Sequence, residues 1–183
     1  MMYDKAKEYA EKMHKGQVRK YTGEPYIRHP IAVAEMCDKY MRRSGYPDHY
    51  IDVVKSAAVL HDVIEDTRAT YGDLMGLFGE GVTELVFWMT DASRPEDGNR
   101  AVRKTIDRWK IINAPYLAVL IKVCDLIDNA KTVIEHDPDF AKVYMEEKAK
   151  IIRQMPWDYS DFGEAYQDAS KLVKDYFKGG ESK

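Results

Sequence analysis

Residues 56–67, SAAVLHDVIEDT, contain neither Gly nor Pro, and from Val53 onward apolar residues recur at Ala57, Leu60 and Ile64. That period is helical, so this stretch is predicted to form a helix with one face in a core. The same stretch carries His61, Asp62, Glu65 and Asp66, four ionisable residues within six positions. On a continuous helix His61 lies one turn from Glu65, Asp62 one turn from Asp66, and Asp62 beside Glu65. Three carboxylates crowded beside an imidazole repel one another unless a cation neutralises them, and a divalent metal is the economical explanation. These residues by themselves also admit a solvated acidic face beside a core histidine.

The rest of the chain extends the helical pattern. Residues 3–14 place Tyr3, Ala6, Ala10 and Met13 on one side of a short amphipathic helix. A loop rich in Gly, Pro and basic residues follows, KGQVRKYTGEPYIRHP, and Pro30 suits the first turn of a helix that runs on through residues 31–41. The organising helix is predicted over residues 50–65. Thr70 or Asp73 is expected to cap a short helix ending at Gly79, with another apolar helix over residues 82–89. Residues 91–99 read as a loop and residues 100–110 as a basic helix. Three further helices are predicted over residues 116–134, 139–155 and 159–177. With no alternating strand pattern and no internal repeat, the expected fold class is all-α. The chain is read as one domain over residues 1–178 with a polar tail at 179–183.

At 183 residues and 45% hydrophobic, the chain can bury a sizeable core. A net charge of −3 offers no general attraction to nucleic acid or anionic membrane, so a phosphate ligand needs a local basic patch. Cys37 and Cys124 have neither zinc-ligand spacing nor the number for a disulfide framework, which points to a reducing, cytoplasmic setting. The charged first residues exclude a signal peptide, and no 18-residue apolar run predicts a membrane span.

Four side chains are candidates for one metal site: His29 before Pro30, His61 and Asp62 together, and Asp125 in IKVCDLIDN. Asp125 interrupts an apolar helix, where a carboxylate without a partner costs roughly 2 kcal/mol or more. Two imidazoles and two carboxylates suit Mn²⁺ or Fe²⁺ and admit Zn²⁺ or Mg²⁺.

In order along the chain stand H-x-G-Q-x-R-K, G-E-P-Y-I-x-H-P, H-D-x-x-E-D-T and I-K-x-x-D-x-x-x-N. Together, over residues 3–152, they resemble the HD-domain phosphohydrolases, and most closely the (p)ppGpp hydrolase domain of the Rel/Spo enzymes and the small stand-alone alarmone hydrolases. The resemblance implies an HD-domain bundle of about eight to ten helices. It also implies one divalent ion, Mn²⁺ by preference, on His29, His61, Asp62 and Asp125. Glu65 and Asp66 then orient or deprotonate the water that attacks the pyrophosphate on the ribose 3′ oxygen.

Substrate contacts carried over by position are Arg19 and Lys20, suited to phosphate oxygens, and Lys122, Asn129, Thr132 and Tyr144. The chain reads RKYTGEPY where many relatives read RKSGEPY, so Tyr21 or Thr22 is extra, and the serine's hydroxyl role passes to Thr22. Leu126 stands where many relatives have a basic residue. The expected partner is a small nucleotide, with neither nucleic acid nor membrane. Because 58 residues follow Asp125, hydrolysis without the synthetase domain of long Rel/Spo enzymes is expected. Two other functions stay open: hydrolysis of another nucleotide, (p)ppApp or the 2′-phosphate of NADPH, and non-catalytic nucleotide binding. The basic helix at 100–110 either covers a polyphosphate or is a solvated face. His14 is read as structural and His49 and His136 as exposed. Trp88, Trp109 and Trp157 are assigned to core or helix packing.

Overall fold

Helix α7 (Tyr116–His136) runs through the middle of the structure, a computed structural model that describes residues 1–155 and 159–180. It is lined by core side chains, with Leu120, Ile121, Val123, Cys124 and Leu126 at most 1% exposed. Around it pack α2 (Arg28–Arg43), α3 (Asp48–Val59), α5 (Tyr71–Met89), α8 (Pro138–Gln154) and α9 (Tyr159–Gly180). Helix α1 (Met2–Met13) packs on α3, and α6 (Arg100–Ile112) lies across α7 and α8. Among the described residues there is no strand; an isolated bridge joins Val18 and Pro25. None of the described helices is long and apolar enough to cross a membrane. The all-α expectation holds.

Side-chain size explains how α2, α3 and α7 approach one another. Ala34 and Cys37 on α2, Ala57 and Ala58 on α3, and Cys124 on α7 are all 0% exposed. Small residues in a close-packed interior let helix backbones come near without leaving voids. This frame fixes the ends of α2 and α3 and the middle of α7, and all the candidate metal ligands sit on those parts.

The predicted helix over residues 50–65 is not continuous. Helix α3 ends at Val59, Leu60 to Asp62 form a turn, and α4 (Val63–Asp66) is a single turn. Hydrogen bonds tighten from i+4 to i+3 here: Leu60 N–H donates to Ala57 O at 3.1 Å and Val63 N–H to Leu60 O at 3.1 Å. The apolar period hides the break because Val59, Leu60 and Val63 are all 0% exposed on either side of it. The premise of one continuous helix through His61 and Glu65 therefore does not hold, and the turn buries His61.

Two helices predicted over residues 70–79 and 82–89 form one element, α5, kinked at Gly79, whose φ of 77° favours glycine. Thr70 and Asp73 both start it, as a reciprocal capping box. Trp88 is partly buried against the core, but Trp109 is 68% exposed on α6, contrary to its assigned packing role. The amphipathic α6 turns its apolar side toward α7 with Ile111, leaving Trp109 on the outer face. Trp157 lies outside the described residues.

Candidate metal centre and its flanking cavities

Proline and backbone bonds place the first ligand. Pro30 in the opening turn of α2 leaves His29 just inside the helix, and His29 is 1% exposed. The α3–α4 turn delivers His61, also 1% exposed, and Asp62. Asp125 comes from the middle of α7 at 6% exposure. His29, His61 and Asp125 each present one ligand atom within 4.8 Å of the others. Asp62 stands at the rim, its Oδ2 2.9 Å from His61 Nε2 and 3.9 Å from His29 Nε2.

Both imidazoles are anchored through Nδ1. His61 Nδ1–H donates to Ala58 O at 2.8 Å, and His29 Nδ1–H donates to Asp128 Oδ2 at 2.7 Å. Each ring therefore turns Nε2 toward the same point, the arrangement found where histidines ligate metals. His61 Nε2 is buried and has no hydrogen-bond partner, since its short approach to Asp62 lacks the angle of a hydrogen bond. A buried nitrogen of this kind is costly unless a cation meets it. The donor set of two imidazole nitrogens and carboxylate oxygens fits a divalent metal.

The electrostatics agree. Burial disfavours charge on His29, yet hydrogen bonding to Asp125 and Asp128 outweighs it and raises the pKa to about 9. Burial also opposes ionisation of Asp62, but His61 beside it pulls the pKa down to about 2. The cluster holds its carboxylates ionised and calls for positive charge at its centre, the field that a divalent ion answers.

Asp125 is not the partnerless carboxylate that its apolar setting suggests. Lys122, one turn earlier on α7, pairs with Oδ2 at 2.9 Å, and Asn129, one turn later, donates to Oδ1 at 2.6 Å. Lys122 is accordingly engaged with the ligand carboxylate while also lining the larger of the two cavities beside the cluster.

Glu65 and Asp66 end α4 beside this cluster. Glu65 as a whole is exposed, but its carboxylate is turned in to accept the Asp91 N–H. Desolvation there, reinforced by the Asp91 carboxylate, raises its pKa to about 7. Burial, then repulsion from Asp62, also raises Asp66. A carboxyl group near neutrality is matched to accepting a proton at physiological pH.

The basic loop is folded onto the cluster. Arg19 N–H donates to Glu24 O at 2.8 Å and Tyr26 N–H to Gln17 O at 3.0 Å. Gln17 donates to the Asp66 carbonyl at 2.8 Å, and His14 Nδ1 meets Gln17 Oε1 at 2.7 Å, which gives buried His14 its structural role. Tyr26, the tyrosine of the G-E-P-Y-I-x-H-P motif and a residue given no role from the sequence, donates its hydroxyl to Asp62. Arg19 bonds three residues of α7: Asp128 at 2.8 Å, Thr132 at 3.2 Å and Asn129 at 3.3 Å.

Two cavities flank the cluster. The loop-side one, about 150 Å³, is lined by Arg19, Lys20, Tyr21, Tyr26, Asn129 and Thr132. Tyr21 lines it, while Thr22 is exposed and bonds only its own loop, accepting from Glu24 N–H at 3.4 Å. The other, about 280 Å³, lies between the end of α5, α6 and α8, with six basic side chains to three acidic ones in its walls. Lys122 and Asp91, which touch Asp125 and Glu65, form its inner edge. Tyr144 is partly buried near the same charges, with the Lys148 ammonium 4.7 Å above its ring. Leu126, the departure from the basic residue of many relatives, is 0% exposed and packs in the core away from both cavities. His49 and His136 are exposed, as expected.

A helical frame presenting two inward histidines and two aspartates around one point defines a metal-site class of helical proteins. The HD-domain family model matches residues 6–152, and the chain belongs to that family. Over 145 residues, 78% of its length, it is 35% identical to the bifunctional (p)ppGpp synthase/hydrolase SpoT of Escherichia coli. Over 156 residues, 81% of its length, it is 34% identical to the guanosine-3′,5′-bis(diphosphate) 3′-pyrophosphohydrolase of Aquifex aeolicus. The chain spans 19% of the length of each of these curated relatives. In fold it is similar to the solved structure of a metazoan SpoT ortholog that hydrolyzes ppGpp, with a TM-score of 0.79 at 24% identity, covering 96% of this chain and 95% of that one. A Listeria monocytogenes structure matches with a TM-score of 0.67 at 26% identity, over 87% of this chain and 99% of that one.

Proposed function

We propose that this chain hydrolyses the 3′-pyrophosphate of (p)ppGpp, giving GDP or GTP and pyrophosphate, with a manganese ion held by His29, His61, Asp62 and Asp125. The observation that carries the proposal is the placement of the His/Asp cluster between a cavity lined by hydrogen-bonding side chains and a cavity lined by lysines. A nucleotide phosphorylated at two ends has the matching shape. Its base faces Asn129 and Thr132, its cleaved group lies at the cluster, and its other phosphates lie among the lysines. The curated relatives at 34–35% identity carry this reaction in their names.

Held by His29, His61, Asp62 and Asp125, a divalent ion would supply Lewis acidity for phosphoryl transfer to water. The chain's own residues do the rest. Glu65, with Asp66 beside it, takes a proton from the attacking water, whose oxygen bonds to the phosphorus attached to the ribose 3′ oxygen. That oxygen leaves with the electron pair of the broken P–O bond and takes up a proton. Lys122 and Asn129 keep Asp125 ionised and oriented. Arg19 holds Asn129 and Thr132 in register with the loop.

The test is to incubate manganese-loaded protein with a panel of 3′-phosphorylated and 2′-phosphorylated nucleotides and identify the released group. Pyrophosphate together with GDP is the expected product pair. Release of orthophosphate alone, or no turnover of any guanine nucleotide with a 3′-diphosphate, overturns the proposal.

A further inference from the structure

The contacts around Asp125 close on themselves. Asp125 Oδ1 lies 3.2 Å from His29 Nε2. His29 Nδ1–H donates to Asp128 Oδ2 at 2.7 Å, and the same oxygen accepts from Arg19 Nη1 at 2.8 Å. Arg19 Nη2 reaches Asn129 Oδ1 at 3.3 Å, and Asn129 Nδ2 returns to Asp125 Oδ1 at 2.6 Å. Three segments meet in this cycle: the opening turn of α2, the basic loop and α7. Asp128 hydrogen-bonds both of the other segments, through His29 and Arg19, and Asn129 beside it reaches the same two, with Nδ2 3.5 Å from His29 Nε2. Asp128 stands within IKVCDLIDN at a position that the motif I-K-x-x-D-x-x-x-N leaves open.

Two consequences follow from its position. First, a metal that binds His29 displaces the proton on Nε2, and the neutral imidazole then keeps its single proton on whichever nitrogen has the better acceptor. Asp125 and Asp128, three residues apart on one face of α7, compete for the two nitrogens of the His29 ring. With Asp128 accepting at Nδ1, Nε2 keeps its lone pair facing the cluster. Without Asp128 the proton settles on Nε2, donates to Asp125, and closes the position a metal needs. Second, Arg19 presents only donors. Held by Asp128, it requires the oxygen of the Asn129 carboxamide on its side, and so turns Nδ2 toward Asp125. We propose that Asp128 is a positioning residue that presets the metal site by fixing the His29 tautomer and, through Arg19, the Asn129 orientation. It thereby couples metal affinity to the basic loop. The proposal presupposes the metal centre above.

Second carboxylates behind a ligating histidine change metal affinity about 10- to 100-fold when removed. The experiment is calorimetric titration of the chelator-stripped full chain with Mn²⁺, with Co²⁺ visible spectra as an independent signature. It compares wild type, Asp128→Asn, Asp128→Ala and Arg19→Ala. Expected are a Kd for Mn²⁺ raised about 10- to 100-fold in Asp128→Ala with an altered Co²⁺ spectrum. A smaller rise is expected in Asp128→Asn, which keeps an acceptor oxygen for Nδ1–H. Arg19→Ala, which leaves the His29 contact intact, should give the smallest rise. If Asp128→Ala does not fold, the near-isosteric Asp128→Asn decides. A wild-type Kd and spectrum in that folded variant overturn the proposal, as they do in Asp128→Ala. Absence of Mn²⁺ and Co²⁺ binding by the wild-type chain overturns the metal centre itself, and the proposal with it.

Discussion

The two cavities beside the metal cluster are both basic, yet their charges are arranged differently. On the loop side each cation is already paired: Arg19 with Asp128 at 2.8 Å and Lys20 with Asp137 at 3.8 Å. Between α6 and α8, Lys104 is paired with Asp91 and Lys110 donates to the Thr90 carbonyl, but Lys148 and Arg108 have no carboxylate partner among the described residues. Burial, and then repulsion from Lys122, lowers the Lys148 pKa to about 8. A site whose charges are neutralised in advance suits an uncharged, hydrogen-bonding group such as a base. A site with uncompensated positive charge suits an anion. The difference is what the orientation proposed for the nucleotide rests on, with the proposed chemistry at the junction.

The largest expected effect lies at that junction. Glu65→Gln with Asp66→Asn should lower kcat by about 10²- to 10⁴-fold, the usual contribution of a positioned acid–base group. Mn²⁺ affinity and nucleotide binding should persist in calorimetry, since neither residue belongs to the His29–His61–Asp125 cluster. Wild-type turnover in the double variant would remove the junction from the chemistry.

The pH profile sharpens the same point. A base works only when deprotonated, and the Glu65 pKa of about 7 means that it is half-protonated near neutrality. Activity at saturating metal should therefore rise through about pH 7 and level off above it. The rising limb should vanish in Glu65→Gln, leaving a flat residual rate. A limb that persists in that variant belongs to another group.

Lys148→Met tests the uncompensated cavity. Removing one charge that meets a phosphate should raise KM about tenfold, equivalent to about 1.4 kcal/mol, for a nucleotide with both 3′ and 5′ phosphates. The same variant should leave KM unchanged for an analogue lacking the 5′ phosphates, because nothing of that analogue reaches the lysine. Equal increases for both substrates would erase the contrast between the cavities.

Much of this site is readable in the chain because its chemistry is conspicuous. Histidine and aspartate inside apolar helical runs, at 29, 61, 62 and 125, have few other reasons to be there. What the sequence conceals depends on direction, not identity. The helix break at Leu60 is masked by apolar residues on both sides. Asp128 reads as a surface residue of α7 until the basic loop is seen to lie across it, although its three-residue offset from Asp125 already placed both carboxylates on one face. Lys148 looks like one more solvated lysine in the KAK run at 148–150, and only the approach of α6 encloses it beside Lys122. The pairing of Lys122 with Asp125 at 2.9 Å is likewise hidden, because pairwise distances are not a property of spacing alone.

The smallest effect should come from the compensated cavity. Tyr21 lines it, and its hydroxyl donates to Asp137 Oδ2 at 2.7 Å while accepting from Lys20 at 3.1 Å. Its ring lies parallel to that of His136 at 6.2 Å between centroids, an arrangement that needs no hydroxyl. Tyr21→Phe removes the polar contact and retains the ring, so the loss is that of one ordinary hydrogen bond, about 0.5–1.5 kcal/mol. Because Asp137 is half-open and Lys20 exposed, water replaces the lost partner and the change belongs near the lower limit. KM should rise by less than tenfold, below the effect of Lys148→Met, with kcat unchanged. A larger rise for Tyr21→Phe than for Lys148→Met would mean that the hydroxyl touches substrate and that the loop side, not the lysine side, carries the dominant polar recognition.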